Sequence, residues 1–127
     1  MSNQSPPEIA QTICDVGCKK TKLPLVKMFV LAMLAGAYIG FGAQLSTAVK
    51  VGLADVVGTG FANLVGGMVF SVGLMLVVIG GAELFTGNNL ITMACCQKKV
   101  GAVDLLKNWV VVYMGNFVGS IVLVLIV

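Results

Sequence analysis

Three stretches of the chain run without Lys, Arg, Asp or Glu for long enough to cross a hydrocarbon core of about 30 Å: residues 28–49, 56–82 and 108–127. Each predicts a membrane helix, and with their flanks the spans cover about 25–47, 58–82 and 105–127. The first run starts well inside the chain and exceeds the length of a signal-peptide core, so it reads as a span. Residues 1–7 are polar and carry Pro6 and Pro7, a tail, after which Pro7 and Glu8 suit the first turn of a helix. Ile9, Ile13 and Val16 then share one face while Glu8, Gln11, Asp15 and Lys19 lie elsewhere. That predicts an amphipathic helix within residues 1–22, lying on the cytoplasmic membrane surface or docked on a neighbouring subunit. Residues 23–127 form the membrane domain. The fold class is an all-α membrane protein with three transmembrane spans.

The second span ends irregularly. Gly80-Gly81-Ala82-Glu83-Leu84-Phe85-Thr86-Gly87-Asn88-Asn89 interrupts it, and residues 90–97 resume an apolar helical pattern. A straight helix from about Thr59 descends roughly 30 Å by Gly80, and tilt or a later start leaves Glu83 inside the membrane. The three glycines and two asparagines are able to leave helical geometry, including positive φ. The spacing therefore predicts a span broken by a glycine-rich loop over 83–88 and continued by a half-helix over 89–98.

Composition and charge narrow the function. Hydrophobic residues make up 58% of the chain and charged residues 10%, which excludes a water-facing globular surface. The net charge of +3 does not read as a nucleic-acid footprint, because the lysines sit at membrane borders without interleaved aromatics. Lys19, Lys20, Lys22 and Lys27 precede the first span, and Lys98, Lys99 and Lys107 separate the second from the third. Those regions are expected in the cytoplasm, the N-terminus with them, and the loop 46–57 outside, with the plasma (inner) membrane as the compartment. An odd number of spans and an apolar run to Val127 lead to the expectation that the chain is truncated and that more follows.

The four cysteines, Cys14, Cys18, Cys95 and Cys96, fall on the cytoplasmic side, where thiols stay reduced. With no His in the chain a zinc site would need all of them, and apolar packing is the simpler reading. No metal or cofactor is expected. No His, paired carboxylates, activated nucleophile or nucleotide loop supports an enzyme.

Non-helical backbone at membrane depth is tolerated only where it is buried in protein or lines a watery path, so the loop marks a pathway. A helix starting near Asn88 would present unpaired N–H groups and a positive dipole end, which favour an anion. Glu83, the one charge deep in the chain, has three readings. It braces the loop with Gly81, Gly87, Asn88 and Asn89, it pairs with a lysine outside this sequence, or it binds a proton or cation. Thr86 is a helix cap or a pore-facing hydroxyl. Phe70 and Leu74, one turn apart, are ordinary core or apolar collars around a path. Ala32, Gly36 and Gly40 in the first span, Gly66, Gly67 and Gly73 in the second, and Gly115 and Gly119 beside Asn116 in the third allow close helix packing. Three spans enclose little interior, so further spans or a homo-oligomer are expected.

Residues 78–87, Val-Ile-Gly-Gly-Ala-Glu-Leu-Phe-Thr-Gly, resemble the first signature of the formate/nitrite transporter family at every position, and residues 34–43 resemble its first span. The resemblance runs from about Lys20 to Val127 and corresponds to the N-terminal half of a member. It implies half of an aquaporin-like, inverted-repeat, six-span fold, assembled as a pentamer with one pore per subunit, passing formate, nitrite, hydrosulfide or lactate. It implies that Phe70 and Phe85 form an outer constriction, Leu74 and Leu84 an inner one, and that Thr86 faces the chamber between them. It also implies that positive potential draws the anion in while the collar disfavours a bare charge, so that it crosses as its conjugate acid and protons are partners. The family's central His and a nearby Lys belong to the second half. The competing reading is a non-transporting assembly or regulatory module. A water or glycerol channel would need Asn-Pro-Ala loops, and no Pro follows Pro24.

Overall fold

The computed structural model describes residues 3–127, and every regular element in them is helical. α1 (Pro6–Thr21) begins behind Ser5, whose N–H and hydroxyl both donate to Glu8 Oε2, at 2.6 and 2.8 Å. These bonds, the backbone one first, hold the Glu8 carboxyl below its ordinary pKa. Pro24 separates α1 from α2 (Leu25–Lys50), and α3 (Leu53–Val57) follows between Gly52 and Gly58, which take φ of 72° and 84°. The expected loop 46–57 is thus mostly helix. Nothing in Ser-Thr-Ala-Val-Lys breaks α2 before Gly52 supplies a left-handed residue.

α4 (Thr59–Gly80) and α7 (Ala102–Ile126) complete the set of three helices long and apolar enough to cross a membrane. Between them stand two short pieces, α5 (Phe85–Asn88) and α6 (Ile91–Cys96). α6 stops before Lys98, which adopts φ 58° while Lys99 N–H closes onto the Ala94 carbonyl at 2.9 Å. The half-helix expected over 89–98 is therefore confined to 91–96, and helix already occupies 85–88, where a loop was expected.

α2 is the central helix. α7 runs beside it in the same direction, with Gly115 against Ala32, Gly119 against the Met33 carbonyl and Gly36 against the Asn116 carbonyl. Small residues are required there because backbone meets backbone. α4 lies on another face and runs the opposite way. A β-carbon on Gly73 would stand 2.8 Å from the Tyr38 carbonyl oxygen, and one on Gly66 would stand 3.1 Å from Ser46 Oγ. Gly73 already meets the Tyr38 carbonyl and Glu83 bonds the Leu31 carbonyl, so α4 ends beside the N-terminal half of α2, short of its first turn.

Below that level a second cluster forms from Cys14, Ile91, Ala94, Val100 and Leu105. α1 docks on α6 of its own chain through Gly17, where an added β-carbon would meet Ala94 Cβ at 3.3 Å. The face that docks carries Cys14 and Gly17. The apolar face read from the sequence, Ile9 and Val16, stays exposed because the small face lets α1 approach more closely.

Candidate functional site

The segment between α4 and α5 is not helical, and its backbone finds hydrogen-bond partners on other helices. Gly81 ends α4 in the left-handed region, φ 63°, and Ala82 N–H returns to the Val77 carbonyl at 3.0 Å. The chain then extends through Leu84, φ −101° and ψ 129°. Glu83 N–H donates to the Leu31 carbonyl of α2 at 3.2 Å. Asn116 of α7 clamps the rest: its Nδ2 donates to the Glu83 carbonyl at 2.9 Å and the Ala32 carbonyl at 2.8 Å, and its Oδ1 accepts from Phe85 N–H at 2.9 Å. Both donors and the oxygen of one amide thereby tie α7 to α2 and to the segment that leads into α5.

The Glu83 side chain turns into a buried polar network. Both carboxylate oxygens accept from Lys20 Nζ at 3.0 Å, and Oε2 also accepts from Asn88 Nδ2 at 2.7 Å. Asn88 returns its Oδ1 to Lys20 at 3.0 Å, donates to Asn108 Oδ1 at 3.0 Å, and receives Trp109 Nε1–H on its carbonyl at 3.1 Å. Asn108 reaches Met28 Sδ at 3.6 Å. Among the described residues no buried side-chain nitrogen or oxygen lacks a partner. The lysine paired with Glu83 comes from α1 of this chain rather than from outside it.

The free N–H groups expected near Asn88 are not there. Asn88, Asn89, Leu90, Thr92 and Met93 all donate to carbonyls, at 3.0 to 3.2 Å. The helix begins at Phe85, whose N–H goes to Asn116, and turns again at Asn89, so the N–H groups of residues 88–90 are used within the segment, and pieces of four and six residues stack few peptide dipoles. Asn89 and Gly87 are exposed; Gly81 provides the turn and Asn88 the buried amide.

Of the pathway residues, Leu74, Leu84 and Thr86 line one depression of about 400 Å³, together with Val77 and Gly87; Glu83 does not. Phe70 stands one turn from Leu74 on α4 and is 39% exposed. Phe85 lies elsewhere: it meets Trp109 and Tyr113 edge-on, with centroids 6.0 and 5.5 Å apart, in a groove between α2 and α7. Residues 85 and 86 open a helical turn and point about 100° apart, Phe85 into that groove and Thr86 into the depression beside Leu74. The sequence reading paired Phe85 with Phe70; the structure does not bring them together. It left Lys20, Asn108 and Trp109 unassigned and used Asn116 only as a neighbour of small residues. Asparagines inside an apolar span were the available signal.

Among the described residues no three His, Cys, Asp or Glu side chains converge as metal ligands, and the four cysteines are free thiols. The chain matches the family model described as "Formate/nitrite transporter" over residues 7–127. The chain belongs to the formate/nitrite transporter family. It is 43% identical over 122 residues to a probable formate transporter of Methanothermobacter thermautotrophicus, covering 94% of this chain and 44% of that protein. It is 41% identical over 122 residues to the formate channel BtFdhC of Bacillus thuringiensis, covering 95% and 47%, and 42% identical over 108 residues to the formate channel FocA of Escherichia coli strain K12, covering 85% and 37%. The chain spans less than half the length of these relatives. Family membership and three span-length apolar helices make it a multi-pass integral membrane protein of a transporter family, not an enzyme family.

Proposed function

We propose that this chain supplies half of a transmembrane pathway for small monovalent anions such as formate, nitrite or hydrosulfide. The observation that carries the proposal is the end of α4. It stops beside the N-terminal half of α2, short of that helix's first turn, and residues 81–84 continue there without helix, next to a depression walled by Leu74, Leu84 and Thr86. Unwound backbone at such depth is stable in lipid only beside protein or a watery path.

In this reading the second span is discontinuous, and the fold is half of an aquaporin-like inverted-repeat arrangement of six spans, assembled from identical copies as a pentamer. The N-terminus and α1 lie in the cytoplasm at the plasma membrane, on the side where seven of the eight lysines cluster. Leu74 and Leu84 form a narrow apolar collar, with Phe70 a turn beyond, and Thr86 offers a hydroxyl to the solute. An apolar constriction strips water from a bare charge at high cost, so the solute crosses as its conjugate acid with a proton supplied from outside this chain. Glu83 lies off the path. Its charge is matched by Lys20, so it does not repel the anion, and its role is to brace the segment that carries Thr86.

Anion flux into liposomes containing the purified protein tests the collar. Leu84→Ala is expected to raise leak or admit larger anions while assembly is retained. Flux and selectivity equal to those of the parent would remove Leu84 from the barrier.

A further inference from the structure

We infer that Ser46 and Lys50 form a docking site for a small oxyanion at the end of the pathway opposite α1, one helical turn outward from Phe70. The inference rests on the pathway proposed above and adds the residues that gather solute at its far mouth. Ser46 and Lys50 lie four apart on α2 and so share a face. Both cover Gly66 of α4: the position of a β-carbon there is 2.8 Å from Lys50 Cδ and 3.1 Å from Ser46 Oγ. Phe70 follows Gly66 by one turn of α4 and meets α2 at Gly42, whose β-carbon position is 2.8 Å from the Phe70 carbonyl oxygen. The seam between the two antiparallel helices therefore runs from Lys50 and Ser46 at its open end to Phe70, and from there toward Leu74.

Both polar groups have bonding capacity to spare. Thr47 returns its hydroxyl to the Ala43 carbonyl at 2.9 Å, the usual arrangement inside a helix, whereas Ser46, 9% exposed, makes no such bond. Since no fully buried side-chain oxygen among the described residues lacks a partner, the free Ser46 hydroxyl borders open space. Lys50 makes no ion pair; the two among the described residues are Lys20–Glu83 and Lys99–Asp15. It is also the only base between Lys27 and Lys98.

A lysine in the last turn of a helix suits the dipole, but that role needs no contact with a neighbouring helix. Here the stem lies along Gly66, which fixes the root of the ammonium group beside the Ser46 hydroxyl. An ammonium and a hydroxyl held together donate to the two oxygens of an ion such as formate or nitrite, and one positive charge matches one negative charge.

Formate flux into phosphatidylcholine liposomes containing the purified protein tests the inference. Lys50→Cys is expected to raise the half-saturating formate concentration several-fold at low salt, with a smaller effect on maximal flux, and the difference is expected to shrink as added salt screens the charge. Modification of that cysteine with the positively charged trimethylammonioethyl methanethiosulfonate is expected to restore the parent value, and the negatively charged sulfonatoethyl reagent to raise it further. The parent treated in the same way controls for the four native thiols. Ser46→Ala is expected to raise the half-saturating concentration at every salt concentration. A merely structural role of the lysine stem would show in thermal stability and would not follow the sign of the reagent. A parent-like half-saturating concentration in Lys50→Cys, or equal effects of the two reagents, would overturn the inference. So would an effect that appears only when anionic phospholipid is added, which would assign the pair to a lipid headgroup. A parent that carries no formate would instead overturn the proposed pathway itself.

Discussion

Lys20→Met is expected to destabilise the protein more than Glu83→Gln, and the two together are expected to recover most of the loss. The Glu83 carboxylate is 5% exposed and has two partners, Lys20 and Asn88. Removing the lysine strands a buried charge on one neutral amide, a change that costs about 3 to 5 kcal/mol for buried pairs. The Lys20 side chain is 25% exposed, so solvent screening puts the loss at the lower end of that range. Glu83→Gln keeps an acceptor and leaves Lys20 with Asn88 Oδ1 and water, so about 1 to 3 kcal/mol is expected. The double variant removes both charges and leaves a neutral network. Thermal unfolding in detergent across the four proteins gives the coupling directly. A double variant as unstable as Lys20→Met alone would mean that the pair is not what holds α1 to the segment after α4.

The second large effect is expected from Gly119→Ala and Gly36→Ala. A β-carbon at Gly119 would overlap the Met33 carbonyl, and one at Gly36 would overlap the Asn116 carbonyl. Both obstacles are backbone, so no rotamer relieves them and α2 must move away from α7. Overpacking of this kind costs about 1 to 3 kcal/mol and sometimes more. Here the shift also opens the Asn116 clamp on Glu83 and Phe85, so loss of assembly in detergent is expected along with loss of stability. Gly67→Ala is the matched control. Nothing lies within 4 Å of its β-carbon position in this chain, and alanine favours the helix by up to about 1 kcal/mol. Equal effects at Gly67 and Gly119 would contradict the packing described.

Much of this was legible in the sequence because lipid imposes strong rules. Runs free of charge located α2, α4 and α7, and Gly80-Gly81 marked the end of α4, since only a left-handed residue closes a helix in that way. The family was legible from residues 78–87. Other features depended on tertiary geometry. Lys20 and Glu83 are 63 positions apart, and the sequence placed Lys20 at a membrane border without showing that α1 folds back onto α6. The direction of Phe85 depends on which residue begins α5; a start at Phe85 rather than Asn88 turns it toward Trp109 and Tyr113 and consumes the N–H groups expected to be free. α3 was hidden because a five-residue helix between two glycines has no periodicity long enough to read.

Thr86→Val, measured as anion flux per assembled protein in liposomes, tests the pathway most directly. Valine matches threonine in shape and removes only the hydroxyl beside Leu74 and Leu84. Because Thr86 is exposed and lies outside the Glu83 network, assembly and thermal stability are expected to stay at parent values. Flux is expected to fall by about tenfold, the loss of one hydrogen bond to the solute of about 1.4 kcal/mol. Parent-like flux with intact assembly would contradict a route past Thr86.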